Sequence, residues 1–210
     1  MTSLRRIHKL LFQEPFSLAR NFRLYNGNAA IGVIGPDIDP ADDSGGLPSA
    51  PVGKRLASAG YTVMISGSDR VMAEMAQAVQ EVGGEAVALR SAGPMNGVDL
   101  SSIGNLDVVE HPSSIRCIEA LLEHADAVVL LPGDLSAMAI LLQIWTFGHR
   151  ADAPFRPILL LGERWPAMVK AVADAAGLDR RSRAMLSFAN TAEEAVESLR
   201  YYVSPEPTNG

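Results

Sequence analysis

Residues 125–145 read ADAVVLLPGDLSAMAILLQIW. An apolar run of strand length, 127–131, stops at Pro132-Gly133 and restarts near Ser136 as a long apolar stretch. A strand without polar alternation is one buried on both faces, which is what a parallel sheet covered by helices imposes. The break therefore predicts a strand that ends at the carboxyl edge of such a sheet, with the next helix starting just beyond it.

The same pattern extends in both directions. Strand-like runs fall at 30–34, 62–66, 85–89, 106–109, 127–131, 157–161 and 184–188. Helix-like stretches separate them at 51–59, 70–82, 113–124, 136–148, 166–176 and 191–202. This alternation predicts an α/β fold, a doubly wound and mostly parallel sheet of Rossmann type in one domain covering 26–203. Two connections rich in Gly, Pro, Ser and Asp, 37–50 and 90–105, read as loops. The start, MTSLRRIHKLLF, reads as a basic helical extension over 1–25, either packed on its own domain or offered to a membrane surface or partner, and 204–210 as a disordered tail.

A chain of 210 residues with 48% hydrophobic content can bury a core without staples. Its one cysteine, Cys117, excludes a disulfide framework and suits a reducing cytosol, and four histidines without tight spacing give no metal or cofactor signature. No run approaches the roughly 18 apolar residues of a membrane span. Beyond Gly35 the chain carries 13 basic and 23 acidic residues, an acidic body that disfavours nucleic acid as a partner.

In an open parallel sheet ligands bind beyond the strands' carboxyl ends, where helix N-termini present unpaired N–H groups. Three turns qualify: Gly35-Pro36-Asp37 after the first strand, Ser66-Gly67-Ser68-Asp69 after the second, and Pro132-Gly133-Asp134-Leu135-Ser136 with Ala137 after the fifth. Glu110-His111, after the fourth, borders the same edge. A dinucleotide fingerprint needs G-x-G-x-x-G, whereas Gly35 is followed by Pro36 and Asp37, so an NADP-dependent oxidoreductase is the weaker reading.

The order GYTVMISGSDRVM (60–72), Arg116-Cys117, DAVVLLPGDLSAMAI (126–140) and Trp145 resembles the LOG (LONELY GUY) family, Rossmann-type proteins often labelled lysine-decarboxylase-like. That resemblance implies a phosphoribohydrolase, which cleaves the N-glycosidic bond of a nucleoside 5′-monophosphate, with glycine N–H groups on the phosphate and an Arg and a Glu as catalytic pair. Against the family's P-G-G-x-G-T-x-x-E, this chain has Asp134, Ser136 and Ala137 in the cradle and Ile140 at the carboxylate. Arg116 matches the family's Arg, and Glu119 one turn along is its candidate partner.

These departures predict a degenerate site. Isoleucine neither stabilises an oxocarbenium-like state nor activates water. Carboxylates of Asp37, Asp69 and Asp134 at helix starts compete for the N–H groups, and one such carboxylate about 4 Å from a phosphate costs roughly 4 kcal/mol, about a thousandfold in affinity. The expectation is therefore a non-catalytic small-molecule-binding or scaffolding protein. The competing reading is an active hydrolase on a nucleoside or cationic substrate, with Glu110, Glu119 or His111 in place of the lost carboxylate.

Between Ser136 and Gly148 only Gln143 and Thr146 are polar. A helix apolar all round is expected to be buried on every side. The resemblance places it at the interface of a homodimer, or of a heterodimer with a related subunit; the alternative is a central helix in a monomer.

Overall fold

The computed structural model describes residues 28–36, 49–92, 98–104, 106–133, 135–148 and 156–205. Within them, β1 (Ala30–Ile34), β2 (Thr62–Ser66), β3 (Ala86–Ser91), β4 (Asp107–His111), β5 (Ala127–Leu130), β6 (Ile158–Leu161) and β7 (Leu186–Ala189) form one sheet in the order β4-β3-β2-β1-β5-β6-β7. Every pairing is parallel, so the fold is an α/β Rossmann-like single domain with no antiparallel strand among the described residues. The chain reverses its direction of travel across the sheet between β1 and β5, which makes their carboxyl ends the topological switch point.

The helices are α1 (Ser49–Ser58), α2 (Asp69–Glu81), α3 (Ser114–His124), α4 (Leu135–Gly148), α5 (Trp165–Ala175), the short α6 (Arg180–Arg183) and α7 (Ala192–Tyr202). Strand alternation divides the core in two. Ile31, Val33, Val63, Ile65 and Val129 pack with Leu56 of α1, Met75 of α2 and Leu199 of α7. Ile34, Met64, Leu89, Val128 and Leu130 pack on the other face with Leu121 of α3, Ile144 and Trp145 of α4 and Trp165 of α5. Each aliphatic side chain buried this completely contributes about 1.5–3 kcal/mol.

Close approach explains one glycine inside a strand. A Cβ on Gly32 would collide with the Leu121 side chain, so α3 lies on β1 at a distance that only glycine permits. Both tryptophan N–H groups are satisfied, Trp145 Nε1 donating to the Ser182 carbonyl at 2.9 Å and Trp165 Nε1 to that of Leu161 at 3.1 Å. The first of these bonds ties α6, which has no clear sequence signal, to α4.

Helix starts fall one residue from their expected places because Ser113 and Thr191 are caps, their hydroxyls accepting from the N–H groups of Arg116 and Glu194. The stretch 90–105 is not all loop: β3 continues to Ser91, and a 3₁₀ turn forms at Leu100–Ser102 under an Asp99 cap. At the far end of α3, Arg156 donates from Nε to the Ala125 carbonyl at 2.9 Å and from Nη2 to that of Glu123 at 3.3 Å, closing carbonyls the helix leaves open. The extension 1–25 lies outside the described residues, as do 206–210 of the tail. No helix among the described residues is long and apolar enough to cross a membrane.

Helix α4 differs from its expected environment. Ala137, Leu141, Ile144 and Trp145 are buried, but Leu135, Ala139, Leu142 and Thr146 form an exposed stripe, with Leu135 77% and Leu142 39% accessible. Spacing of i, i+4, i+7 and i+11 puts those four on one side of the helix, which the sheet cannot reach.

Candidate functional site

The switch point is built from interlocked turns. The Gly35 N–H donates to the Ser66 carbonyl at 2.8 Å, that of Ser68 to Pro36 at 2.9 Å, and that of Leu131 to Ile34 at 2.9 Å. Gly67 adopts φ +152°, and a Cβ there would stand 3.2 Å from the Gly35 main chain. A Cβ on Gly133 would meet that of Ala137 at 2.5 Å, with Pro36 at 3.7 Å. These glycines let adjoining turns touch one another. Pro36 supplies no N–H, so the turn after β1 lacks a donor that an anion cradle could use.

Asp69 has a different role from the one its position suggests. It opens α2 behind the cap residue Ser68, whose hydroxyl accepts from the Val71 N–H at 3.3 Å. Its carboxylate is buried against Arg90, with Nε–Oδ1 at 2.9 Å and Nη2–Oδ2 at 3.4 Å, a two-pronged charge-assisted pair. Arg90 Nη1 also holds Glu110 Oε1 at 3.1 Å, and Glu110 is itself largely exposed. The hydrogen bond to Asp69 is the chief reason the guanidinium pKa is raised above its ordinary value, against the opposing effect of burial. Asp69 is therefore a neutralised anchor joining the ends of β2, β3 and β4, and not a free charge repelling phosphate from the crevice.

In the sequence Arg90 falls at the start of the Gly- and Ser-rich stretch 90–105, which hides its place at the end of β3. Its signal was the charge ending the apolar run EAVALR, since a cation closing a buried strand requires a carboxylate nearby, and Asp69 stands in the adjoining turn.

The remaining candidates spread apart. Arg116 projects from the exposed side of α3, where Nη1 meets Glu119 Oε2 at 2.7 Å, so the two do pair, but on the surface. His111 ends β4, three strands and about 14 Å from β1 at 4.8 Å per strand. Its Nε2 is buried without a hydrogen-bond partner among the described residues. Burial lowers its pKa, opposed by Glu123 and reinforced by Arg116, both on α3. His124, at the end of α3, is lowered to about 4 by burial, then by Arg156 and His111. Ser136 is half-buried and Ala137 buried in the first turn of α4, while Ile140 is partly buried against the core. Asp37 and Asp134 lie outside the described residues. Among those described, no group of His, Cys, Asp or Glu side chains is placed to hold a metal ion.

No protein-family model matches the chain, and no curated protein matches it. Solved structures do. A structural-genomics crystal structure, TM1055, is 26% identical with TM-score 0.61, covering 82% of this chain and 99% of its own. The molybdenum cofactor binding protein from Rippkaea orientalis is 15% identical with TM-score 0.58, covering 83% of this chain and 96% of its own. The molybdenum cofactor carrier protein from Chlamydomonas reinhardtii is 16% identical with TM-score 0.58, over 83% and 98%. What the chain shares with all three, along almost their whole length, is the LOG/Rossmann-like fold.

Proposed function

We propose that the protein is a LOG-like small-molecule-binding protein of the cytosol that lacks phosphoribohydrolase activity. Ile140 carries the reading. It occupies the position where the resemblance calls for a carboxylate, and it is partly buried against the apolar core on the α4 side of the sheet. Helix α4 contains no acidic residue to replace it, and Arg116 is engaged with Glu119. Without an acid–base group over the glycosidic bond, the chemical step loses general acid–base assistance worth about 10²–10⁴-fold. Fold neighbours named as a cofactor binder and a cofactor carrier suit a protein that holds its ligand unchanged.

The pairing of Asp69 with Arg90 removes one of the three charges that favoured a cationic substrate. Incubating the purified protein with AMP and measuring released adenine tests the proposal. No release above background is expected, and robust turnover abolished by Arg116→Ala overturns it. We further propose that the exposed stripe of α4 is covered by a second copy of the chain, since Leu135 and Leu142 give it an apolar centre.

A further inference from the structure

We infer that the outer edge of β7 receives an extended segment of another protein as an added strand, with the segment's acidic end seated on Arg180 and Arg181 of α6. This surface lies on the last strand of the sheet, apart from the switch point.

Strand β7 pairs with β6 alone among the described residues. The Gly162 N–H donates to the Ala189 carbonyl at 2.8 Å, so Ala189, and Ser187 two residues before it, turn their main-chain groups towards β6. Leu186 and Phe188 therefore turn theirs outward, where no described residue bonds to them. Edge strands are ordinarily guarded by charge, proline or a bulge. The opposite edge follows that rule, since β4 carries Asp107 and Glu110. Strand β7 reads LSFA and carries no such guard, and at four residues it is as long as β5 and β6.

Aromatic side chains flank this edge on both faces. Phe188 shares the face of Leu186 and is 42% accessible, while Tyr202 of α7 is 47% accessible on the other, its hydroxyl 3.5 Å from Ser187 Oγ. An incoming strand sends alternate side chains to the two faces, so each aromatic gains a cross-strand neighbour. Charge sets the partner's composition. Arg180 and Arg181 are exposed at the amino end of β7, and no carboxylate among the described residues pairs with either. Arg183, in contrast, is held by Asp174 at 2.9 Å and by the Leu178 carbonyl at 3.1 Å. In a chain of net charge −6, two unneutralised guanidiniums favour an acidic segment.

The test follows the full-length protein with the fluorescent peptide Asp-Glu-Val-Thr-Val-Thr-Val by anisotropy. Wild type is expected to bind it, and to bind Lys-Lys-Val-Thr-Val-Thr-Val about tenfold more weakly or worse. Arg180→Glu combined with Arg181→Glu is expected to cost the acidic peptide a similar factor. Phe188→Pro deletes an outward N–H and leaves the β6 ladder intact, so its melting temperature stays within about 5 °C of wild type while the peptide is lost. N-methylation of the peptide's valines, or separately of its threonines, is expected to abolish binding in one case and spare it in the other, because an added strand bonds through one side only. No binding by wild type, equal binding of the basic peptide, or tolerance of both methylation patterns overturns the inference. Peptide binding lost with the arginines but kept by Phe188→Pro also overturns it, since that contact needs no strand; if Phe188→Pro unfolds, the methylated peptides decide. Binding of poly(dT) in preference to the peptide, abolished by the arginine changes, assigns the arginines to nucleic acid and overturns it as well.

Discussion

Arg90 shows how much one side chain can decide at this edge. It takes both oxygens of Asp69 and one of Glu110, so three strand ends share one buried cation. Replacing it by Met removes the cation paired with the buried Asp69 carboxylate, a loss of about 3–5 kcal/mol in stability by urea denaturation. Glu110→Gln removes only an exposed partner and is expected to cost less than about 1 kcal/mol. Recovery of stability when Asp69→Asn is added to Arg90→Met separates a lost ion pair from lost packing; an unrecovered double variant assigns the cost to the Arg90 stem. Little of this was visible in the chain beforehand. Asp69 reads as a free carboxylate at a helix start until Arg90 is known to be in β3, and the two are 21 positions apart. The pairing of Arg116 with Glu119 was legible, because three residues along a helix is a contact that local geometry guarantees.

Among the elements, α4 separates what periodicity reveals from what it hides. The apolar composition announced a helix from Ser136 to Gly148, and the helix runs over Leu135–Gly148. Composition did not reveal the exposed stripe, because a sequence apolar all round marks no side as outer. A stripe of Leu135, Ala139 and Leu142 seated against a second copy is expected to hold a dimer that a charge disrupts. Wild type should elute from size exclusion with light scattering at twice its 22.4 kDa mass, and Leu142→Lys as a monomer. Two monomeric species of equal stability would rule the dimer out. The strands were far more legible, and β1 and β2 have the bounds their apolar runs imply. A fully buried strand must be apolar throughout, whereas an edge strand such as β4, with Asp107 and Glu110, shows a weaker pattern.

For the molecule as a whole, acid is the condition that tests the fold. His124 is held near 4 by burial, with Arg156 and His111 facing it and Glu123 and Asp126 beside Arg156. An unfolded chain returns this group to its ordinary value of 6.5, so between the two values the unfolded state binds the extra proton. The stability tied to neutral His124 is complete above pH 6.5 and is lost as pH falls towards 4. The loss amounts to roughly 2–3 kcal/mol. His111 is shifted in the same direction and adds to the trend. Urea midpoints measured from pH 7.5 to 4.5 are expected to fall in the wild type and to fall less in His124→Gln. Parallel curves would place the acid sensitivity elsewhere.

The central position of β1 carries a consequence for the order of events during synthesis. Its first neighbour, β2, leaves the ribosome soon after it, but its second, β5, begins only at Ala127. Until then one flank of β1 is a bare edge, and the crevice beside Gly35 lacks its opposite wall. A nascent chain can thus assemble four strands in sequence and still offer a ligand nothing, and binding competence arrives late, when the second half of the polypeptide closes on the first.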